Sequence, residues 1–133
     1  MRSYNPASLV PNDPKSLSWA MAWVRRFAGD VPAEDGSWPT ASLEDEEWAG
    51  WLQATATTVN NVIYYRPHEA AARNIASNPY WSQRISLMGL FQEFRNAEEV
   101  AAAIRQSGNW IDHLIALDSG IAPVQGVQLW PGF

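Results

Sequence analysis

Proline and glycine cut this chain into short pieces, and that punctuation limits every element it can form. Three prolines (Pro6, Pro11 and Pro14) fall in residues 1–14, and two glycines with two prolines fall in 29–41. Asn78-Pro79, Gly89, Gly108 and Gly120 follow. Helices stop at such residues, because proline lacks an amide donor and glycine has the most backbone freedom to lose. Between the breaks the apolar residues recur mostly with helical spacing. The pattern predicts a mainly α protein: a small bundle of about four helices, with a short β segment or hairpin and extended N- and C-terminal arms. A length of 133 residues fits one domain over 1–133, with a lead-in over 1–14 and an arm over 119–133.

The first helix is expected from about Lys15 to Ala28 and is stopped by Gly29. Leu17, Ala20, Met21, Val24 and Ala28 share one face, with Trp19, Trp23 and Arg26 on the next. A helix apolar over more than half its circumference is either central to the core or covered by another chain. After the 29–41 loop, Ser42-Leu43-Glu44-Asp45 matches a capping box, with Asp in place of Glu, and opens a second helix. Its stripe is Trp48, Trp51, Leu52 and Thr55. The β-branched and aromatic run from Thr55 to Tyr65 predicts fraying or an extended segment. Pro67 suits the first turn of a third helix through His68–Ala76. Ile85 to Phe94 fits both periods, and Gly89 tips it towards a short strand or hairpin. Asn96, followed by Glu98 and Glu99, caps a last helix that runs to about Asp118. Its stripe is Val100, Ile104, Ile111, Leu114 and Ile115, with Gly108 as a weak point or kink and Gly120 as its end.

Charge and motifs exclude more than they assign. The net charge is −5, and the nine basic residues are scattered, with only Arg25 and Arg26 adjacent. That is unlike a protein that binds phosphate backbones. The chain has no cysteine, which removes disulfides, thiolate zinc sites and thiol nucleophiles. No apolar run approaches a membrane span, and no signal-peptide segment opens the sequence, which predicts intracellular synthesis. His68-Glu69 begins like the H-E-x-x-H zinc motif, but Ala72 stands where the second histidine belongs. His68 therefore reads as structural, and His113 as a satisfied or exposed helical residue. No nucleophile elbow, phosphate loop or dinucleotide fingerprint occurs. Seven acids (Asp30, Glu34, Asp35, Glu44, Asp45, Glu46 and Glu47) run without a base between them. Helix capping and solvation account for them better than acid–base chemistry does. The expectation is no enzyme, no cofactor and no metal, but a protein that binds other chains.

Two features point to such binding. Eight tryptophans (Trp19, Trp23, Trp38, Trp48, Trp51, Trp81, Trp110 and Trp130) exceed what a core this size needs, which suggests that some face partners. Residues 119–133 carry no charge and include Val124, Val127, Leu129, Trp130 and Phe133. An apolar arm either folds back on its own core or inserts into a neighbouring chain, as extended segments do when they add a strand to an open sheet edge.

The string Tyr64-Tyr65-Arg66-Pro67-His68-Glu69-Ala70-Ala71-Ala72, with the acidic start Ser42-Leu43-Glu44-Asp45-Glu46-Glu47 before it, resembles the head-to-tail connector (adaptor) proteins of long-tailed bacteriophages. Phe94-Arg95-Asn96-Ala97-Glu98-Glu99, leading into Ala101-Ala102-Ala103-Ile104-Arg105, looks like that family's final helix. The first 30 residues fall outside the likeness. The resemblance implies a virion protein of the neck, made in the host cytoplasm, that forms a homo-oligomeric, dodecameric ring between the portal protein and a tail or stopper protein. DNA would only pass through the lumen, and no membrane is involved. The portal-binding arm would comprise Gln125, Val127, Leu129, Trp130 and Phe133. Glu44, Asp45, Glu46 and Glu47 become candidate lumen acids, which would repel phosphates and let the genome slide. Trp19 and Trp23, from the tryptophan surplus on the first helix, join Tyr64, Tyr65 and Arg66 as a candidate subunit interface. The alternative is a small helical protein-binding or regulatory module that forms a low-order oligomer.

Overall fold

Small residues decide which helix takes the centre of the bundle. The computed structural model describes residues 1–77 and 97–120. A short 3-10 turn (Pro6–Leu9) precedes α1 (Leu17–Ala28) and α2 (Asp45–Thr55). The strands β1 (Thr57–Val59) and β2 (Val62–Tyr64) follow, then α3 (Pro67–Ser77), α4 (Ala97–Ser107) and α5 (Asn109–Ser119). Ala70, Ala71 and Ala72 are completely buried, as is nearly all of Ile75. Alanine costs little side-chain entropy in a helix and lets neighbouring backbones come close. Helices α1, α2 and α4 accordingly all pack on α3. The core between them is filled by Trp19, Val24, Trp48, Leu52, Val100, Ile104, Ile111 and Ile115.

The architecture is mainly helical with a two-stranded antiparallel hairpin, and the β-branched run from Thr57 to Tyr64 is the stretch that forms it. Thr57 pairs with Tyr64, Thr58 with Ile63 and Val59 with Val62. Asn60 and Asn61 make the turn at φ 53° and 65°, the left-handed pair of a tight hairpin that asparagine tolerates. The strand or hairpin expected over Ile85–Phe94 lies outside the described residues. So does the arm carrying Gln125, Val127, Leu129, Trp130 and Phe133.

Four boundaries differ from the sequence reading. The lead-in is not extended throughout, since Asn5 caps a 3-10 turn by accepting the Ala7 N–H at 3.1 Å. Helix α1 is capped by Ser16 and starts at Leu17. Leu17 is 43% exposed instead of sharing the buried face, although Trp19 and Ala20 in the same turn are 2% and 0% exposed. Helix α2 begins at Asp45 with Glu44 as its cap, not at Ser42. Asp30 accepts the Leu43 N–H at 3.0 Å, and Arg25 donates to the Leu43 carbonyl at 2.9 Å. With both backbone groups held from outside, residue 43 cannot enter a helical turn. Glu44 takes the cap position, and Glu47 three residues on completes the capping box by accepting the Glu44 N–H at 3.1 Å. Finally, the expected last helix is two helices, broken at Gly108, where a side chain would run into His68 and Phe27.

Candidate functional site

Two polar clusters knit the described helices together. In the first, Arg25 and Asp30 are both completely buried. One oxygen of Asp30 receives Arg25 Nη1 at 2.8 Å, the Trp48 indole N–H at 2.8 Å and the Leu43 N–H at 3.0 Å. Arg25 also donates to Asp45 at 2.7 Å and lies 4.8 Å from the Trp38 ring centre. A guanidinium this deep is tolerable because both its Nη groups are matched to acceptors, while Arg25 Nε and the second Asp30 oxygen find no hydrogen-bond partner among the described residues. Asp45 extends the network outward by accepting the Ser3 N–H and hydroxyl at 3.0 and 2.7 Å. Burial raises the Asp45 pKa, but the hydrogen bonds from Arg25 and Ser3 outweigh it and hold the carboxyl below its usual range.

The second cluster sits where the hairpin enters α3. Arg66 grips Asp112 with two parallel bonds, 2.7 and 3.1 Å long, and the ring of buried His68 meets the same carboxylate at 3.0 Å. The next residue, Glu69, receives Arg105 twice at 3.0 Å and Arg73 at 2.8 Å. The Arg105 pair, with Arg73 beside it, overcomes the effect of burial and brings the Glu69 pKa from 4.5 to about 2. Burial pushes Asp112 up as well, yet its bonds to His68 and Arg66 hold it well below the ordinary carboxylate range. At the far end of α5, Asp118 accepts Lys15 at 3.1 Å and the Tyr64 hydroxyl at 3.0 Å.

These contacts revise the roles read from sequence. Trp19 and Tyr64, two of the five candidate interface residues, are 2% and 3% exposed and belong to the chain's own core. Trp23, Tyr65 and Arg66 stay half-buried. Of the described tryptophans, Trp19 and Trp48 are buried, and Trp23, Trp38, Trp51 and Trp110 keep part of their surface open. Trp110 packs edge-on against Trp19 and Trp23 at 6.4 and 5.2 Å. The Trp19 and Trp23 indole N–H groups meanwhile bond Asn12 and the Leu9 carbonyl. The acidic run does not behave as one solvated strip. Asp30 is sealed inside, Asp45 holds Arg25, and Glu44 pairs with the Met1 amino group and with Arg2. Glu46 and Glu47 remain exposed.

The sequence reading missed Arg25, Asp30, Arg105 and Asp112 as organising residues, and it took Gly108 for a weak point or kink where the structure has a full break. One signal was available: Arg25 falls on the largely apolar α1, where a charge demands a buried partner. Asp30 lies only five residues after Arg25 and was within reach of that signal, whereas nothing local marked Asp112, whose partners Arg66 and His68 precede it by 46 and 44 residues.

The described residues hold no group of three or more His, Asp or Glu side chains that could bind a metal ion, and none of their helices is long and apolar enough to cross a membrane. Compared with family models, curated proteins and solved structures, the chain matches none.

Proposed function

We propose that this chain is a ring-forming connector subunit of a tailed bacteriophage. It would stand between the portal and the tail, dock on the portal through residues 125–133 and leave a lumen for DNA. The observation that carries the reading is the coupling of the two stretches on which the resemblance rests. Tyr64–Ala72 supplies Arg66, His68 and Glu69, and the stretch ending at Arg105 supplies the guanidinium that holds Glu69. Residues 36 positions apart thus form one interlocked unit around the buried α3, as expected of a framework that presents surfaces to its neighbours. The uncharged composition of 121–133 supports docking by burial of apolar side chains. Within the acidic run, the exposed Glu46 and Glu47 are the residues that could line a lumen.

The test is assembly. Negative-stain images and native mass of the purified chain, alone and with a portal protein, should show closed rings. A species no larger than a dimer under both conditions would instead favour the regulatory-module reading. Deleting residues 125–133 should leave the melting temperature unchanged and abolish portal attachment, whereas a loss of stability would mean that this segment packs on its own body.

A further inference from the structure

The consecutive helices α4 and α5 are fixed to the body in different ways. Helix α4 lies along α3, backbone close to backbone, and buries Val100, Ala101 and Ile104. Helix α5 makes no comparable backbone approach to any described element. Its side chains reach across instead. Trp110 stands edge-on to Trp19 and Trp23. Asp112 holds Arg66 and His68, and Asp118 holds Lys15 and the Tyr64 hydroxyl. These polar ties are open to water, since the side chains of Asp112, Asp118 and Lys15 are 40%, 37% and 46% exposed. Water replaces ties of that kind at little cost. Only Ile111 and Ile115 of the eleven residues in α5 are buried, against eight of eleven in α3.

The joint between the two helices is Gly108. It stands at φ −103° and ψ 6°, outside helical geometry, and gives α5 no side-chain cap. Its N–H bonds the Ile104 carbonyl at 3.0 Å, which closes the last turn of α4. Glu69 then grips Arg105 three residues before the joint. The backbone bonds of α4 and its hold on α3 are therefore complete without α5.

We propose that α5 opens as one unit about Gly108 while the other described helices stay folded. Eleven residues make too short a helix to persist alone in water. The opened stretch thus loses its helical bonds together with its side-chain ties, and Ile111 and Ile115 become uncovered. Closed and open forms differ by a few water-accessible contacts and two buried isoleucines, a small part of what holds the whole body. Any use of the opening in ring assembly rests on the connector reading, whereas the opening itself does not.

Native-state hydrogen exchange of the full chain in low urea tests this residue by residue. The hydrogen-bonded amides of α5 should share one level of protection, at least about a hundredfold below that of α3, with a weaker dependence on urea. Two conservative variants then separate the opening from global unfolding. Ile75→Val thins the core of α3 two turns beyond His68, in the part that stays folded. It should raise α3 exchange about fivefold and leave α5 exchange as in the parent. Tyr64→Phe removes the hydroxyl that Asp118 accepts, so it weakens the closed form alone and should raise exchange in both helices about fivefold. An equal response of α3 and α5 to Ile75→Val would overturn the proposal. So would protection in α5 that declines steadily from Ile111 to Ser119, the mark of a fraying end. Rings formed by a chain whose α5 shows no separate opening would discard this inference and keep the connector reading. A separate opening in a chain that never forms rings, with or without a portal protein, would do the reverse.

Discussion

Asp30 and Asp112 do the same chemical job in two different settings. Each gathers an arginine and a ring nitrogen onto one carboxylate, Arg25 and Trp48 in one case and Arg66 and His68 in the other. The Asp30 cluster is sealed from solvent, while the Asp112 side chain is 40% exposed. Where water is excluded, removing one partner strands the other. Where water is at hand, it takes the lost partner's place. The inner cluster therefore fixes how α1, the 30–43 loop and α2 fit together, and the outer one adjusts how firmly α5 is held.

The largest test of that contrast is Asp30→Ala. It leaves the Arg25 charge and the Trp48 indole N–H without their shared acceptor, and should cost about 3–5 kcal/mol in urea unfolding. Asp112→Asn should cost less, about 1–3 kcal/mol, because solvent reaches the site. A result in the opposite order would break the comparison. Gly108→Ala sharpens it from the packing side. The new methyl collides with His68, so a loss of about 1–3 kcal/mol is expected even though no ion pair is deleted.

Acid should act through Glu69. Its pKa is lowered by folding from 4.5 to about 2, so its contribution is complete above pH 4.5 and disappears as the pH falls towards 2. Asp112 and Asp118, also held low, lose their contributions in the same direction. In Glu69→Gln, the fall in melting temperature across that window should be shallower than in the parent chain. The smallest effect belongs to the turn. Asn61→Gly relieves a left-handed residue far from both clusters and should change stability by no more than about 0.5 kcal/mol, with a slightly higher melting temperature.

The helical class was legible because it rests on local signals. The alanine run and Pro67 in a first turn announce themselves within a few residues, and the β-branched run marked an extended segment without showing that it pairs as a hairpin. The break at Gly108 was half legible. Glycine flagged a weak point, but the reason for a full break, the closeness of His68 forty residues earlier, is not a local property. The cap of α2 was misplaced for the same reason, since Ser42 is a better intrinsic cap than Glu44 and the backbone of Leu43 is claimed by Arg25 and Asp30. The candidate interface was drawn from residue type alone, which cannot separate a Trp19 in the core from a half-buried Trp23.

Gly120 sits at φ 80° after the last turn of α5, its N–H shared between the Ala116 and Leu117 carbonyls. A side chain there would meet no neighbour within 4 Å, so its whole cost would be the left-handed backbone itself. The stop of α5 is thus written in the backbone torsion of one residue and not in packing, and Gly120 is replaceable only by a residue that tolerates that torsion.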